Sequence, residues 1–228
     1  MVKYLLFLLL GLMLTFQTDY REKRAKMVQQ QLRGRDIDNP SVLAAMMEVE
    51  RHQFVPDEIK GLAYEDRPLP IGYSQTISQP YIVAFMTQAL NPEPDDKILE
   101  IGTGSGYQAA VLAEIVDSVY TIEILPELGK NSRQLFRKLG YENIMTKIGD
   151  GYKGWPQHAP FDGIVVTAAP EQIPPPLKAQ LKEGGRMIIP VGPKNNIQQL
   201  QVIEKENGKL KKRTVMSVRF VPFTREPD

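Results

Sequence analysis

The chain has 228 residues, 42% of them hydrophobic and 24% charged, with a formal net charge of +1. That length and balance suit one globular domain with a sizeable core, and they lack the basic excess that a nucleic-acid groove carries. There is no cysteine, which excludes disulfides, thiolate zinc sites and a cysteine nucleophile; the two histidines, His52 and His158, stand too far apart in sequence to suggest a metal site.

The chain opens on an apolar run, Tyr4 to Phe16, with Lys3 ahead of it. The run is shorter than the roughly 20 residues of a transmembrane helix and has the length of a signal-peptide core. No A-x-A-like cleavage site follows, and Arg21, Lys23, Arg24 and Lys26 crowd its far side, where positive charge favours the cytoplasm. A signal, an anchor and an extension with no part in the fold all stay open. Residues 1–18 are therefore set apart, 19–228 are taken as one domain, and membrane contact is expected only through residues 4–16.

Residues 19–34 read as a helix ending at Gly34. Asn39-Pro40 opens a second helix through S-V-L-A-A-M-M-E-V-E, with proline at the first helical position. Residues 55–79 read as irregular, broken by Pro56, Pro68, Pro70 and Gly72. A short helix over Pro80 to Leu90 and a polar linker over 91–96 follow. From Lys97 the strands K-I-L-E-I, S-V-Y-T-I-E, N-I-M-T-K-I, F-D-G-I-V-V-T and G-R-M-I-I-P-V appear. Helices are expected at 107–116, at 126–139 and over P-P-L-K-A-Q-L-K. This alternation predicts an open, doubly wound α/β sheet of Rossmann-like type, parallel at its centre. I-Q-Q-L-Q-V-I-E-K and L-K-K-R-T-V-M-S-V-R-F-V, joined at Asn207-Gly208, predict an antiparallel hairpin at its C-terminal end.

In such a sheet, ligands bind beyond the carboxyl ends of the strands. Gly102, Gly104 and Gly106 follow the first of these strands, in the order G-x-G-x-G, with Glu100 just ahead. A dinucleotide turn reads G-x-G-x-x-G. A carboxylate at Glu100 would repel a pyrophosphate and favour a ligand carrying positive charge, such as a nucleoside bearing a sulfonium or an amino acid. Glu123 ends the second strand, where it can accept both hydroxyls of a ribose. Asp150 ends the third, where it can accept from an adenine amine, and Gly149 and Gly151 let the ring approach the backbone.

The E-x-G-x-G-x-G turn with Glu123 and Asp150 resembles the class I S-adenosylmethionine-dependent methyltransferases. Longer segments narrow the likeness: A-Y-E-D-R-P-L-P-I-G (63–72), Q-T-I-S-Q-P-Y-I-V-A (75–84), G-D-G-Y-K-G-W (149–155) and V-T-A-A-P (166–170). From about residue 20 to its end the chain resembles the protein-L-isoaspartate O-methyltransferases. The resemblance implies methyl transfer from S-adenosyl-L-methionine to the free α-carboxylate of L-isoaspartyl residues in damaged proteins. The ester then collapses to a succinimide, which returns in part to aspartate. By the same resemblance Ser78 is the active-site residue, and Gln75, Thr76 and Ile77 cover cofactor and substrate. Glu100, Gly102, Thr103, Gly104, Ser105 and Gly106 form the cofactor turn, Glu123 takes the ribose, and Asp150 with Gly151 takes the adenine. Val221 and Thr224 of V-P-F-T wall the substrate side. Where the family usually has glycine, this chain has Ser74; a positive φ there would cost serine about 1 kcal/mol and bear on lid motion.

The chemistry needs little from the protein. An α-carboxylate, with an ordinary pKa of about 3.3–3.7, is ionised at neutral pH and requires no general base. Ser78 is therefore expected to orient it by a hydrogen bond, although S-Q-P-Y also allows Ser78 to cap the following helix. Small apolar Ala168 and Ala169 suit a nucleophile that must shed water. His52, His158 and Trp155 read as packing residues, and L-K-K-R at 210–213 as a solvated strand edge. Asn207-Gly208, besides being a turn, is the dipeptide most prone to isoaspartate formation, and aged protein is expected to become its own weak substrate there. Competing readings are another carboxylate or small-molecule acceptor, or a nucleoside-binding module without catalysis. The expected enzyme is a monomer with a cytoplasmic catalytic domain, tethered or free, and with no nucleic-acid partner; export through a signal peptide is the alternative.

Overall fold

The computed structural model describes residues 20–194 and 196–225. The apolar run at 4–16 lies outside them. Among the described residues no helix is long and apolar enough to cross a membrane.

The alternating half of the chain builds a seven-stranded sheet in the order β5-β4-β3-β6-β7-β8-β9. Its strands are β3 (Lys97–Ile101), β4 (Ser118–Glu123), β5 (Ile144–Ile148), β6 (Phe161–Val166), β7 (Leu181–Val191), β8 (Gln198–Glu206) and β9 (Lys209–Val218). The first five are mutually parallel; β8 pairs antiparallel with β7, and β9 antiparallel with β8. The β8–β9 turn has φ 51° at Asn207 and 72° at Gly208. Both central residues are therefore left-handed, which the twist of a two-residue hairpin demands. The expected topology holds throughout.

Central strands are apolar on both faces because both are covered. Successive side chains point to opposite sides, so Ile98 enters one core while Leu99 and Ile101 enter the other. The first core lies under α2 (Pro40–Glu48), α3 (Pro80–Leu90), α4 (Tyr107–Ala113) and Phe136 of α5 (Pro126–Leu139); the second lies under Leu177 of α6 (Pro175–Gln180). Each fully buried leucine or isoleucine contributes about 1.5–3 kcal/mol. His52 stacks on Tyr20 at 4.1 Å, and His158 packs on Tyr120 at 4.5 Å, beside Trp155. All three pack as expected.

The first helix, α1 (residues 20–26), continues as a π-helical stretch, Met27–Arg33, and ends at Gly34 as expected. Three local expectations need correction. Residues 69–77 are not irregular: β1 (Leu69–Gly72) and β2 (Gln75–Ile77) form a small hairpin. Its strands are too short to show periodicity, and Pro70 sits at an edge, where its missing N–H is tolerated. The helix over P-P-L-K-A-Q-L-K stops at Gln180, because Leu181 already pairs with Phe161. Lastly, α3 is not capped by Ser78. The cap position is Gln79, and Asp66 accepts the first-turn N–H of Tyr81 at 3.2 Å and the Gln79 side-chain amide at 2.8 Å. Asp66 does the capping from a distance, which leaves the Ser78 side chain for other work.

Candidate active site

The chain leaves β3 toward β4 and β5 on one side, and reaches β6 and β7 on the other. The switch point thus lies between β3 and β6. A cleft of about 810 Å³, counted with its open mouth, lies at the carboxyl ends of these strands. That is the size of a small-molecule site.

The glycine turn forms its floor. Gly102, Gly104 and Gly106 have φ of 95°, 53° and 92°, a region that favours glycine. A Cβ on Gly102 would stand 2.4 Å from Thr167 Oγ1, and one on Gly106 would stand 2.5 Å from Phe136 Cζ. The Thr167 hydroxyl, at the end of β6, faces the carbonyls of Gly102 at 2.7 Å and Ile101 at 3.0 Å. The turn is therefore pinned to the strand across the switch point. Glu123 holds the other side: Oε2 accepts the Gly104 N–H at 2.7 Å and Oε1 the Leu125 N–H at 3.0 Å. Each oxygen keeps a lone-pair direction for a further donor. The C-terminal segment closes one wall, bound through Ala169 N to Val221 O (2.8 Å) and Phe223 N to Ala169 O (3.0 Å).

The β1–β2 hairpin forms the rim. Tyr73 and Ser74, at its tip, have φ of 51° and 56°. The position does require a left-handed backbone, so serine is strained where glycine would be free. Ile71 of this hairpin lies over Gly104, and Gln75, Thr76, Ile77 and Ser78 run along the cleft.

Most of the residues expected at the site meet there: Gln75 to Ser78, Gly102 to Ser105, Glu123, Gly151, Val221 and Thr224 all line the cleft. Gly106, Glu100 and Asp150 do not. Gly106 packs beneath the turn against Phe136. Glu100 is completely buried, with Thr121 Oγ1 donating to its Oε2 and no hydrogen bond at Oε1. Burial is the main cause that pushes its carboxyl up to about 8, against the opposing Thr121 hydrogen bond and with help from the Glu123 charge. The expectation of an ionised Glu100 facing a cationic ligand is therefore corrected: it is a largely neutral group under the floor, one hydroxyl removed from Thr103, whose Oγ1 lies 2.6 Å from that of Thr121. Asp150 is buried beside cleft-lining Gly151, and its Oδ1 accepts the Tyr152 N–H at 2.9 Å.

Phe223 lines the cleft with the rest of V-P-F-T; Thr167, Gln108 and Tyr107 line it too, with no role expected of them from the sequence. Thr167 was legible in principle, since it ends the strand across the switch point. Among the described residues that line the cleft there is no lysine, arginine or histidine; Glu123 is the one acidic side chain. The floor glycines fit a ligand that approaches the backbone closely, and Glu123 fits a diol.

Comparison with known proteins agrees with this geometry. Residues 22–227 match the family described as protein-L-isoaspartate(D-aspartate) O-methyltransferase. A protein-L-isoaspartate O-methyltransferase of Opitutus terrae is 57% identical over 204 residues, 90% of this chain and 88% of that protein. One of Gloeobacter violaceus is 57% identical over 200 residues, 88% and 98% of the two chains. A solved protein-L-isoaspartate O-methyltransferase superposes with a TM-score of 0.81 at 28% identity, covering 87% of this chain and 65% of that one. A Plasmodium falciparum protein, described as a putative member in complex with S-adenosyl-L-homocysteine, shares the fold with a TM-score of 0.77 at 24% identity, covering 89% and 99%.

Proposed function

The chain belongs to the protein-L-isoaspartate(D-aspartate) O-methyltransferase family, and we propose how its own residues carry out the family reaction. The enzyme transfers a methyl group from S-adenosyl-L-methionine to the free α-carboxylate of L-isoaspartyl residues in damaged proteins. The ester then closes to a succinimide, from which aspartate is partly recovered.

Bound S-adenosyl-L-methionine supplies an electrophilic methyl on a sulfonium. Gly102 to Ser105 hold its amino-acid half against the floor, Glu123 accepts the ribose hydroxyls, and Gly151 and Asp150 take the adenine. Ser78 donates to the substrate carboxylate and aims it at the methyl; Val221 and Thr224 wall the substrate side. The observation that carries this reading is the charge of the cleft. It holds no cationic side chain among the described lining residues, and its one carboxylate, Glu123, is engaged by the Gly104 and Leu125 N–H groups; an α-carboxylate needs no base. Transfer cancels the carboxylate and sulfonium charges, so a poorly hydrated cleft favours the neutral products. Residues 19–228 act as one catalytic unit and a monomer, with residues 1–18 outside it. Its place is the cytoplasm, on the basic residues that follow the apolar run and the cytosolic origin of the cofactor.

The test is methyl transfer from labelled S-adenosyl-L-methionine to two matched peptides, one with L-isoaspartate and one with normal aspartate. Label on the first alone, released by base as methanol, is the expected result. Binding of S-adenosyl-L-homocysteine without transfer to either peptide would refute the acceptor. Ser78→Ala removes one hydrogen bond to a charged group, so kcat/KM is expected to fall about 10- to 100-fold while S-adenosyl-L-homocysteine affinity holds.

A further inference from the structure

Asp150 raises a question that the family resemblance does not answer. Its side chain is 1% exposed, and Oδ1 is taken by the Tyr152 N–H. Oδ2 faces Arg225, whose Nε and Nη2 each lie 3.4 Å away. The same guanidinium lies 3.9 Å over the Tyr152 ring. Arg225 follows directly on the V-P-F-T segment that the Ala169 backbone ties to the cleft wall. The C-terminal segment therefore brings both a wall and a cation, the latter to a buried carboxylate 75 residues away in sequence.

A buried carboxylate without a partner is costly, and the stacked, forked guanidinium supplies one in a fixed plane. Both Arg225 contacts to Oδ2 are long and come from one edge of a single guanidinium, so together they take one side of Oδ2 and leave its other lone-pair direction for one further donor. We propose that Arg225 is a positioning and specificity residue for the purine: it neutralises Asp150 and aims it so that the remaining lone pair accepts a 6-amino group. A 6-oxo purine would set oxygen against oxygen there and be rejected. Arg225 acts through Asp150 and through Tyr152, whose ring it covers and whose backbone N–H donates to Asp150. The inference rests on Asp150 being the adenine acceptor.

The experiment measures calorimetric binding of S-adenosyl-L-homocysteine and S-inosyl-L-homocysteine, which differ at position 6 of the purine. The full-length protein is compared with Arg225→Ala, Arg225→Lys and Asp150→Asn, each checked for fold by circular dichroism. The native protein prefers the adenosyl ligand. Arg225→Ala narrows that preference about tenfold or more, the worth of a charge-assisted hydrogen bond, by weakening the adenosyl ligand alone. Arg225→Lys keeps the charge without the planar fork and restores part of the preference. Asp150→Asn abolishes the preference, since its amide can donate to a 6-oxo group. If Asp150→Asn leaves the preference intact, the adenine assignment fails and the inference with it. If Asp150→Asn abolishes it but Arg225→Ala weakens both ligands equally, or tightens the adenosyl ligand, the role of Arg225 alone is refuted.

Discussion

Glu100→Gln isolates the cost of keeping an acid under the cofactor floor. Glu100 is fully buried and its carboxyl is pushed up to about 8 in the fold, whereas an unfolded glutamate titrates near its ordinary value of about 4.3. Between those two values the folded state holds a proton that the unfolded state has lost. Stability is therefore complete below the unfolded value and falls as pH rises, by about 1.4 kcal/mol per pH unit, until the folded group itself ionises. By pH 7 the loss is of the order of 3 kcal/mol, a large part of a typical domain's stability. Glutamine has nearly the same shape, can still accept from Thr121, and does not titrate. It leaves an amide N–H without an assured acceptor, a pH-independent offset of about 1–3 kcal/mol. The observable is therefore slope rather than level. Urea unfolding at half-unit steps from pH 5 to 8 should show the native protein losing several kcal/mol relative to Glu100→Gln, with similar m-values. Parallel profiles would refute the reasoning and mean that Glu100 is ionised in the fold.

Three other substitutions test the geometry. Gly102→Ala puts a Cβ 2.4 Å from Thr167 Oγ1 at φ 95°; the left-handed backbone alone costs about 1–2 kcal/mol, and calorimetry should show S-adenosyl-L-homocysteine binding at least about tenfold weaker. Ser74→Gly relieves strain at φ 56° but adds about 0.4–1 kcal/mol of unfolded-state entropy. Global stability should barely move while amide exchange across 72–76 quickens; unchanged exchange would show that serine does not stiffen the rim. Gly208 N, the atom that must attack Asn207 to begin isoaspartate formation, donates to Glu183 Oε2 at 3.2 Å. Glu183→Ala, aged without cofactor, should gain isoaspartate at 207 faster than the native protein by peptide mapping; equal rates would show that this contact protects nothing.

The sequence by itself determined what is local or periodic. Alternating apolar strands and helices specified a covered parallel sheet, and β3, β4 and α5 run between the very residues their patterns marked. G-x-G-x-G specified a left-handed turn that favours glycine, and Asn207-Gly208 specified the hairpin. Glu123, at a strand end beside that turn, was legible for the same reason. The tertiary structure decided what depends on distance and dielectric. Whether Glu100 is a charge or a neutral acid depends on how completely its neighbours exclude water, which a strand pattern does not encode. Asp66 as the cap of α3, and Arg225 as the partner of Asp150, join residues 15 and 75 positions apart. Hydrophobic periodicity says which face of an element turns inward. It does not say which distant side chain will be waiting there, because strand order and crossovers set that only once the chain has closed.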